Sequence, residues 1–91
     1  MKYVFHPAAL TEYGEAVEFY GERRVELAQA FINAVEDAIF RIVESPTRWA
    51  VVDEDIRRCL TRKFPYGILY TIEEIKVSDS LTIAAALQNR A

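Results

Sequence analysis

Apolar side chains recur at helical spacing through the first half of the chain. The first stripe is spaced by three and four residues and consists of Leu10, Tyr13, Val17 and Tyr20. This period predicts an amphipathic helix of about residues 7–20, with glutamates on its opposite face. Pro7 fits the first turn of this helix, and Gly21 is expected to end or bend it.

A second and longer apolar stripe follows directly. Its members again step by three and four residues, and they are Ala28, Phe31, Val35, Ala38 and Ile42. Ser45-Pro46 is expected to stop this helix, because the residue before a proline disfavours helical geometry. Two helices joined by so short a connection predict an antiparallel helical hairpin.

Segments typical of β-strands stand on both sides of the helices. Lys2–His6 is predicted as a first strand. Three further strands are predicted after the helices, at Ile56–Arg62, Tyr66–Glu73 and Leu81–Leu87. Residues 47–55 are expected to form a connection, and Ser78-Asp79-Ser80 is expected to form a turn. Strands joined by such short links must pair antiparallel.

These elements predict an α+β fold of order β-α-α-β-β-β, in which the helical hairpin packs on a small, mainly antiparallel sheet. The length of 91 residues allows one domain, residues 1–91, and 52% hydrophobic content is typical of a compact protein. The sequence has no segment that resembles a signal peptide or a membrane span. The single cysteine suits a reducing compartment, so we expect a cytoplasmic protein with no membrane partner.

Charge is divided unevenly along the chain. Residues 1–55 hold five basic and eleven acidic side chains, whereas residues 56–91 hold six basic and three acidic ones. The isoelectric point of about 5.1 argues against non-specific binding of nucleic acid by the whole chain. Any binding of an anionic partner is therefore expected to use the basic C-terminal third.

The basic residues of this third are expected to form a surface. In an alternating strand Arg58 and Arg62 share one face, while Arg57 points to the other. If the strands of residues 56–62 and 81–87 lie near each other, Arg58, Arg62 and Arg90 converge on one concave patch. Guanidinium groups suit phosphates and carboxylates, so this patch would bind nucleic acid or an acidic partner. The alternative is a set of surface arginines that pair with the acidic helices.

Few residues are candidates for other chemistry. His6 stands alone, and a structural or capping role is favoured over a catalytic one. Cys59 lies within a predicted strand, where a packed thiol is favoured over a reactive one. With one histidine and one cysteine, neither a zinc site nor another metal site is expected, and no glycine-rich phosphate loop occurs. No cofactor is therefore expected.

Seven short motifs occur in a specific order along nearly the whole chain. They are Phe5-His6-Pro7-Ala8-Ala9, Glu15-Ala16-Val17-Glu18-Phe19-Tyr20, Phe31 with Val35-Glu36, Ile42 followed by Ser45-Pro46, Ile56-Arg57-Arg58, Phe64-Pro65-Tyr66-Gly67-Ile68-Leu69-Tyr70 and Ala84-Ala85-Ala86-Leu87-Gln88-Asn89-Arg90. In this order and spacing the chain resembles the RelE/ParE superfamily of toxins from bacterial type II toxin–antitoxin modules. The resemblance is closest to the plasmid-stabilisation, ParE-like branch.

The resemblance implies a fold and two alternative activities. Members of the superfamily are small β-α-α-β-β-β domains that a cognate antitoxin protein wraps and neutralises. ParE-like members inhibit growth by binding DNA gyrase, whereas RelE-like members cleave mRNA on the ribosome, which illustrates that a fold does not fix a function. A non-toxic interaction protein and a homodimer without antitoxin also remain open.

Residue roles follow from the resemblance. In a ParE-like toxin, residues that bind the target or the antitoxin would be Arg57, Arg58, Arg62 and Arg90. In a RelE-like endoribonuclease, residues that stabilise phosphate charge during attack by the 2′-hydroxyl would be Arg58, Arg62, Lys63 and Arg90.

The chain also departs from the nuclease pattern, which favours the ParE-like alternative. Gly67 stands where the nucleases place an arginine, Leu60 replaces another basic residue, and Leu87 stands where many relatives carry histidine. The sequence stops at Ala91, before the segment that often ends in Pro-Gly-Tyr-Trp and can supply a catalytic tyrosine. We therefore expect a toxin that acts by binding.

Overall fold

The computed structural model describes residues 2–75 and 80–90. Its elements in chain order are β1 (Lys2–Phe5), α1 (Pro7–Arg23), α2 (Val25–Glu44), β2 (Val51–Asp53), β3 (Ile56–Leu60), β4 (Tyr66–Ile75) and β5 (Ser80–Asn89). Two helices pack on a five-stranded mixed sheet, so the predicted α+β class is confirmed.

The strands follow one another across the sheet in the order β1-β5-β4-β3-β2. The pairs β2–β3, β3–β4 and β4–β5 are antiparallel, as their short links predict. The first strand joins the far edge and runs parallel to β5. The predicted mainly antiparallel sheet is thus confirmed, and the strands of residues 56–60 and 80–89 are separated by β4.

The first helix is longer than the sequence predicts. It begins at Pro7, where the Ala8 N–H donates a hydrogen bond of 3.1 Å to Nδ1 of His6, so His6 acts as a cap. It does not end at Gly21, which lies in ordinary contact with α2: a Cβ placed there would be 3.5 Å from Cβ of Ala28. The helix ends instead where Arg24 adopts an extended conformation, with φ of −160°.

Strand bounds differ from the prediction in several places. The expected connection of residues 47–55 contains β2, whose three side chains are all exposed and therefore give no alternating pattern. Its hairpin with β3 turns at Glu54, which has a positive φ of 46°. The third strand ends two residues earlier than predicted, whereas β4 and β5 extend further. The predicted turn at 78–80 falls largely on residues 76–79, which lie outside the described part.

The core lies between the two helices and one face of the sheet. The second helix contributes more of it than α1, because its apolar stripe is stronger and longer. The buried residues that form the core are Ala16, Phe31, Val35, Ala38, Ile39, Ile42, Cys59, Ile68, Tyr70, Ile83, Ala85 and Leu87. Phe31 is fully buried, and its ring contacts four other aromatic rings within 6 Å. Both helices therefore lie on one side of the sheet.

Candidate functional site

The other side of the sheet carries no helix within the described residues, and we call it the open face. Side chains alternate along a strand, so residues next to the buried ones point to this side. The open face contains a cavity of about 370 Å³, whose lining includes Val4, Ile56, Leu69, Thr71, Ala84 and Ala86. The alanines keep the centre of the cavity shallow. This is an apolar surface suited to contact with another protein.

Arg58 belongs to β3 and stands on the open face, across from Leu69 on β4, which lines this cavity. Its side chain runs over Gly67, because a Cβ placed on Gly67 would be 3.3 Å from both Cγ and Cδ of Arg58. Within the described part of the chain Arg58 forms no ion pair. Its positive charge is therefore available to a carboxylate or phosphate from outside the chain.

Gln88 adds a polar group to the open face, next to Gly67 and the Arg58 side chain. It pairs with Gly67 across β4 and β5, and its neighbours Leu87 and Ala85 place it on the open face by alternation. Its side-chain oxygen Oε1 is buried and has no hydrogen-bond partner among the described residues. A buried acceptor without a donor is costly. A hydrogen-bond donor from a binding partner would therefore remove this cost and stabilise the complex.

Arg57 points away from the open face and supports the fold. Its Nη1 donates to the carbonyl oxygens of Thr47 at 3.0 Å and of Trp49 at 2.7 Å. These bonds tie the segment after α2 to β3. Arg57, predicted to bind a target or an antitoxin, is therefore held in contacts within the chain.

Arg62 does not share a face with Arg58, so this expectation is wrong. The strand ends at Leu60, and the chain then turns towards the helical layer. Nη1 of Arg62 lies 3.9 Å from Oδ2 of Asp37 on α2. The same carboxylate oxygen accepts a bond of 3.0 Å from Nε of Arg41, whose Nη2 donates to the Leu60 carbonyl oxygen.

Lys63 and Arg90 lie at one end of the sheet. Lys63 belongs to the loop between β3 and β4 and has a positive φ of 70°. Arg90 follows β5, is exposed, and donates its backbone N–H to the carbonyl oxygen of Pro65 in that loop, at 2.7 Å. The structure thus brings Arg90 near the loop of Lys63. The predicted convergence of three arginines on one patch fails for Arg62.

Potential nucleophiles and acids within the core are held in unreactive states. Burial raises the pKa of the Cys59 thiol, and the nearby Arg41 guanidinium offsets only part of this effect. Burial also raises the pKa of Tyr70 to about 12. The Tyr70 hydroxyl donates a bond of 2.6 Å to the carbonyl oxygen of Pro46. Cys59 is therefore a packed thiol, as the sequence indicates.

A second pocket of about 320 Å³ adjoins Arg58 at the edge of the sheet. Its lining includes the indole of Trp49 and the side chains of Val52 and Leu60. The guanidinium carbons of Arg41 and Arg48 lie 5.5 and 5.2 Å from the Trp49 ring centre, in cation–π contact. The basic residues of this edge therefore surround an aromatic side chain.

A third cavity, of about 680 Å³, lies between α1 and the end of β5. Its lining includes the acidic residues Glu12 and Glu15 and the aromatic residues Phe19 and Tyr66. Burial raises the pKa of Tyr66, and the nearby Tyr20 and Glu12 add to this effect. This groove is acidic, in contrast to the basic edge of the sheet.

The sequence prediction missed the apolar residues of the open face. A signal for them exists in β4 and β5, where Ile68-Leu69-Tyr70 and Ala84-Ala85-Ala86-Leu87 are apolar at both odd and even positions. Strands with one solvated face alternate, whereas strands with two apolar faces do not. These runs therefore indicate a sheet that has a second surface to cover.

Neither helix in the described residues combines the length and the apolar character that crossing a membrane requires. No group of histidine, cysteine and carboxylate side chains suited to a metal ion occurs in the described ranges. The chain matches no protein-family model and no curated protein in sequence. Its function is therefore inferred from its fold and its surfaces.

Proposed function

We propose that this chain is the toxin of a bacterial type II toxin–antitoxin module, closest to the ParE-like branch of the RelE/ParE superfamily. It would act in the cytoplasm by binding its target, DNA gyrase, and a cognate antitoxin would neutralise it. The observation that carries the proposal is the open face, where Leu69 of the apolar cavity lies across from Arg58, which has no ion pair within the described residues.

The architecture supports the superfamily assignment. The chain begins with β1, forms two consecutive helices and then supplies the rest of the sheet, which agrees with the order of elements in RelE/ParE toxins. The extra strand β2 is a three-residue hairpin arm at the sheet edge, and the other elements follow that order. The ordered motifs from Phe5 to Arg90 lie on these elements.

The positions of the basic residues favour binding over RNA cleavage. A nuclease of this type needs several cations around one phosphate. Here Arg62 is directed to Asp37, and the Arg58 side chain occupies the space beside Gly67. His6 is engaged as the cap of α1. An apolar cavity beside one available arginine suits a protein partner better than a phosphate backbone.

Growth arrest and gyrase activity test the proposal directly. Induced expression should stop bacterial growth, and the purified protein should inhibit DNA supercoiling by gyrase. Arg58→Ala should reduce both effects at least about tenfold if its charge meets a carboxylate on the target. The matched control is Arg24→Ala, since Arg24 is an exposed arginine at the junction of the two helices, which pack on the other side of the sheet.

A ribosome assay distinguishes the RelE-like alternative. Codon-specific mRNA cleavage on programmed ribosomes, lost in Arg90→Ala, would replace gyrase binding with endoribonuclease activity, with Arg58, Arg62, Lys63 and Arg90 as its candidates. Expression that leaves growth unchanged would instead indicate a non-toxic interaction protein.

The antitoxin is tested through the neighbouring gene. Co-expression with the adjacent open reading frame should restore growth and yield a complex that co-purifies. Arg58→Glu should weaken that complex, because a reversed charge repels an acidic partner. A neighbour that neither binds nor protects would refute the toxin–antitoxin pairing.

A further inference from the structure

We propose that a second copy of this chain binds the open face, so that two sheets pack face to face about a two-fold axis. The reasons are the apolar centre of this face, its small residues and the positions of its charges. Val4 is 56% exposed, and the cavity that it lines has no cover among the described residues. Association would remove this apolar surface from water.

The centre of the open face allows another sheet to come close. Ala84 and Ala86 on β5 and Gly67 on β4 have small side chains or none. Two sheets that pack face to face lie about 10 Å apart and interdigitate their side chains. Leu69, which is larger, stands beside Ala86 and can project into the gap between the two sheets.

The open face carries a positive charge, Arg58, and a negative charge, Glu73, on opposite sides of Tyr70 along β4. The Arg58 side chain lies over Gly67, three residues before Tyr70 on β4. Glu73 lies three residues after Tyr70, is exposed, and shares the face of Leu69 by alternation. Neither charge has an ion-pair partner among the side chains that the structure describes.

A two-fold axis makes these charges complementary. If the axis lies between the two sheets and crosses β4 at Tyr70, the β4 strands of the two copies run antiparallel over each other. Glu73 of the second copy then lies above Gly67, where the Arg58 side chain lies. Symmetry creates the same pair a second time, as in any isologous interface.

The size of the face agrees with a weak dimer. Strands β4 and β5 have ten residues each. At about 3.3 Å per residue and about 4.8 Å between strands, the strands β1, β5, β4 and β3, with 4, 10, 10 and 5 residues, cover roughly 450 Å². Two such faces bury about 900 Å², which is below the standard size and typical of weak, transient interfaces. We therefore expect a dissociation constant in the micromolar range.

Self-association does not depend on the toxin assignment. It is measured by sedimentation, whereas the proposed function is measured by growth arrest, so that either can fail alone. If both hold, the dimer covers Arg58, and the second copy competes with the target and the antitoxin for the open face.

Sedimentation velocity from low to high micromolar concentration tests the dimer. The wild-type protein should shift from monomer to dimer over this range. Arg58→Glu or Glu73→Arg alone should raise the dissociation constant about tenfold or more, because each places like charges opposite each other. The double variant Arg58→Glu/Glu73→Arg should restore it to within about threefold of the wild-type value, because both pairs re-form with reversed sign.

Two further variants separate this interface from unspecific association. Ala86→Glu should abolish the dimer, since it places a charge in the apolar centre. Glu15→Arg, a charge reversal on α1, should leave it unchanged. Circular dichroism and urea unfolding verify that each variant is folded. A protein that stays monomeric throughout, single reversals without effect, or a double variant that does not recover would each overturn the proposal.

Discussion

The two faces of the sheet are built from alternate residues of the same strands, yet they differ in size and polarity. The covered face presents large buried side chains to the helices, among them Ile68, Tyr70 and Ile83. The open face presents small or half-exposed ones between them, such as Ala84 and Ala86. One face therefore supplies the folding energy, and the other keeps an apolar surface that the described part of the chain does not cover.

The neighbouring arginines Arg57 and Arg58 show the same division. The Arg57 guanidinium donates two hydrogen bonds to backbone carbonyl groups on the side of the helices. The Arg58 side chain lies on the open face over Gly67 and has no ion pair among the described residues. Adjacent residues of identical chemistry thus lie on opposite faces of the sheet, because a strand alternates its side chains.

The largest expected effect comes from the covered face. Phe31→Ala should lower the free energy of unfolding by about 3–5 kcal/mol, since it opens a cavity among fully packed rings. Leu69→Ala on the open face should cost about 1.5 kcal/mol or less, because its surroundings are already open. Urea unfolding of both variants measures the difference. Equal losses would contradict the division between the faces.

Substitution of Arg57 and of Arg58 should give the next largest difference in the free energy of unfolding. Arg57→Met retains the apolar stem but leaves the carbonyl groups of Thr47 and Trp49 without their donor, which should cost about 1.5–3 kcal/mol of stability. Arg58→Met should change stability by about 0.5 kcal/mol or less. Chemical unfolding of the two variants under identical conditions compares them. A larger loss in Arg58→Met would show that Arg58 also serves the fold.

Tyr70→Phe tests the covered face through the pH dependence of the free energy of unfolding. At neutral pH the loss of the hydrogen bond to Pro46 should cost about 1 kcal/mol. The unfolded chain releases the tyrosine proton near pH 10.0, whereas burial raises the folded pKa to about 12. The free energy of unfolding should therefore fall as pH rises from 10 to 12.

The Tyr70→Phe protein should lose less stability over this window than the wild type, as measured by urea unfolding at pH 9 and 11. The matched control is Tyr3→Phe, since the exposed Tyr3 hydroxyl makes no hydrogen bond in the described residues. An identical pH response in Tyr70→Phe and the wild type would show that Tyr70 does not cause the loss of stability at high pH.

The smallest expected effect lies in the loop outside both faces. Lys63→Gly should raise the free energy of unfolding by about 0.5–1 kcal/mol, because glycine adopts the positive φ of 70° without strain. Lys63→Ala removes the same charge but keeps the strained backbone, so it should give no such gain. Thermal and urea unfolding distinguish the two variants. A gain in both would point to charge as the cause.

Much of the fold was predictable because its signals are local. The helical stripes, the stop at Ser45-Pro46 and the short links between strands each act within a few residues. The strand β2 was missed because three exposed residues carry no period, and its pairing with β3 depends on contacts across a turn. The extension of α1 past Gly21 was missed because its packing against Ala28 is tertiary.

The candidate site was less predictable than the fold. The sequence indicates that residues 56–91 are basic, but it does not determine where each side chain is directed. The strand ends at Leu60, so Arg62 turns towards Asp37 on α2 instead of staying with Arg58. A shift of two residues in one strand end was enough to divide the expected patch.

By itself the sequence determined two amphipathic helices, the strand-forming segments and the unequal distribution of charge, since these depend on side-chain type and spacing. Only the tertiary structure decided that β1 pairs parallel with β5, that Arg57 donates to the carbonyl group of Trp49, and that Arg62 turns towards Asp37. The reason is that strand pairing and packing join residues that are distant in the chain. The spacing of neighbouring residues determines which of them share a face, but not which distant segment that face contacts.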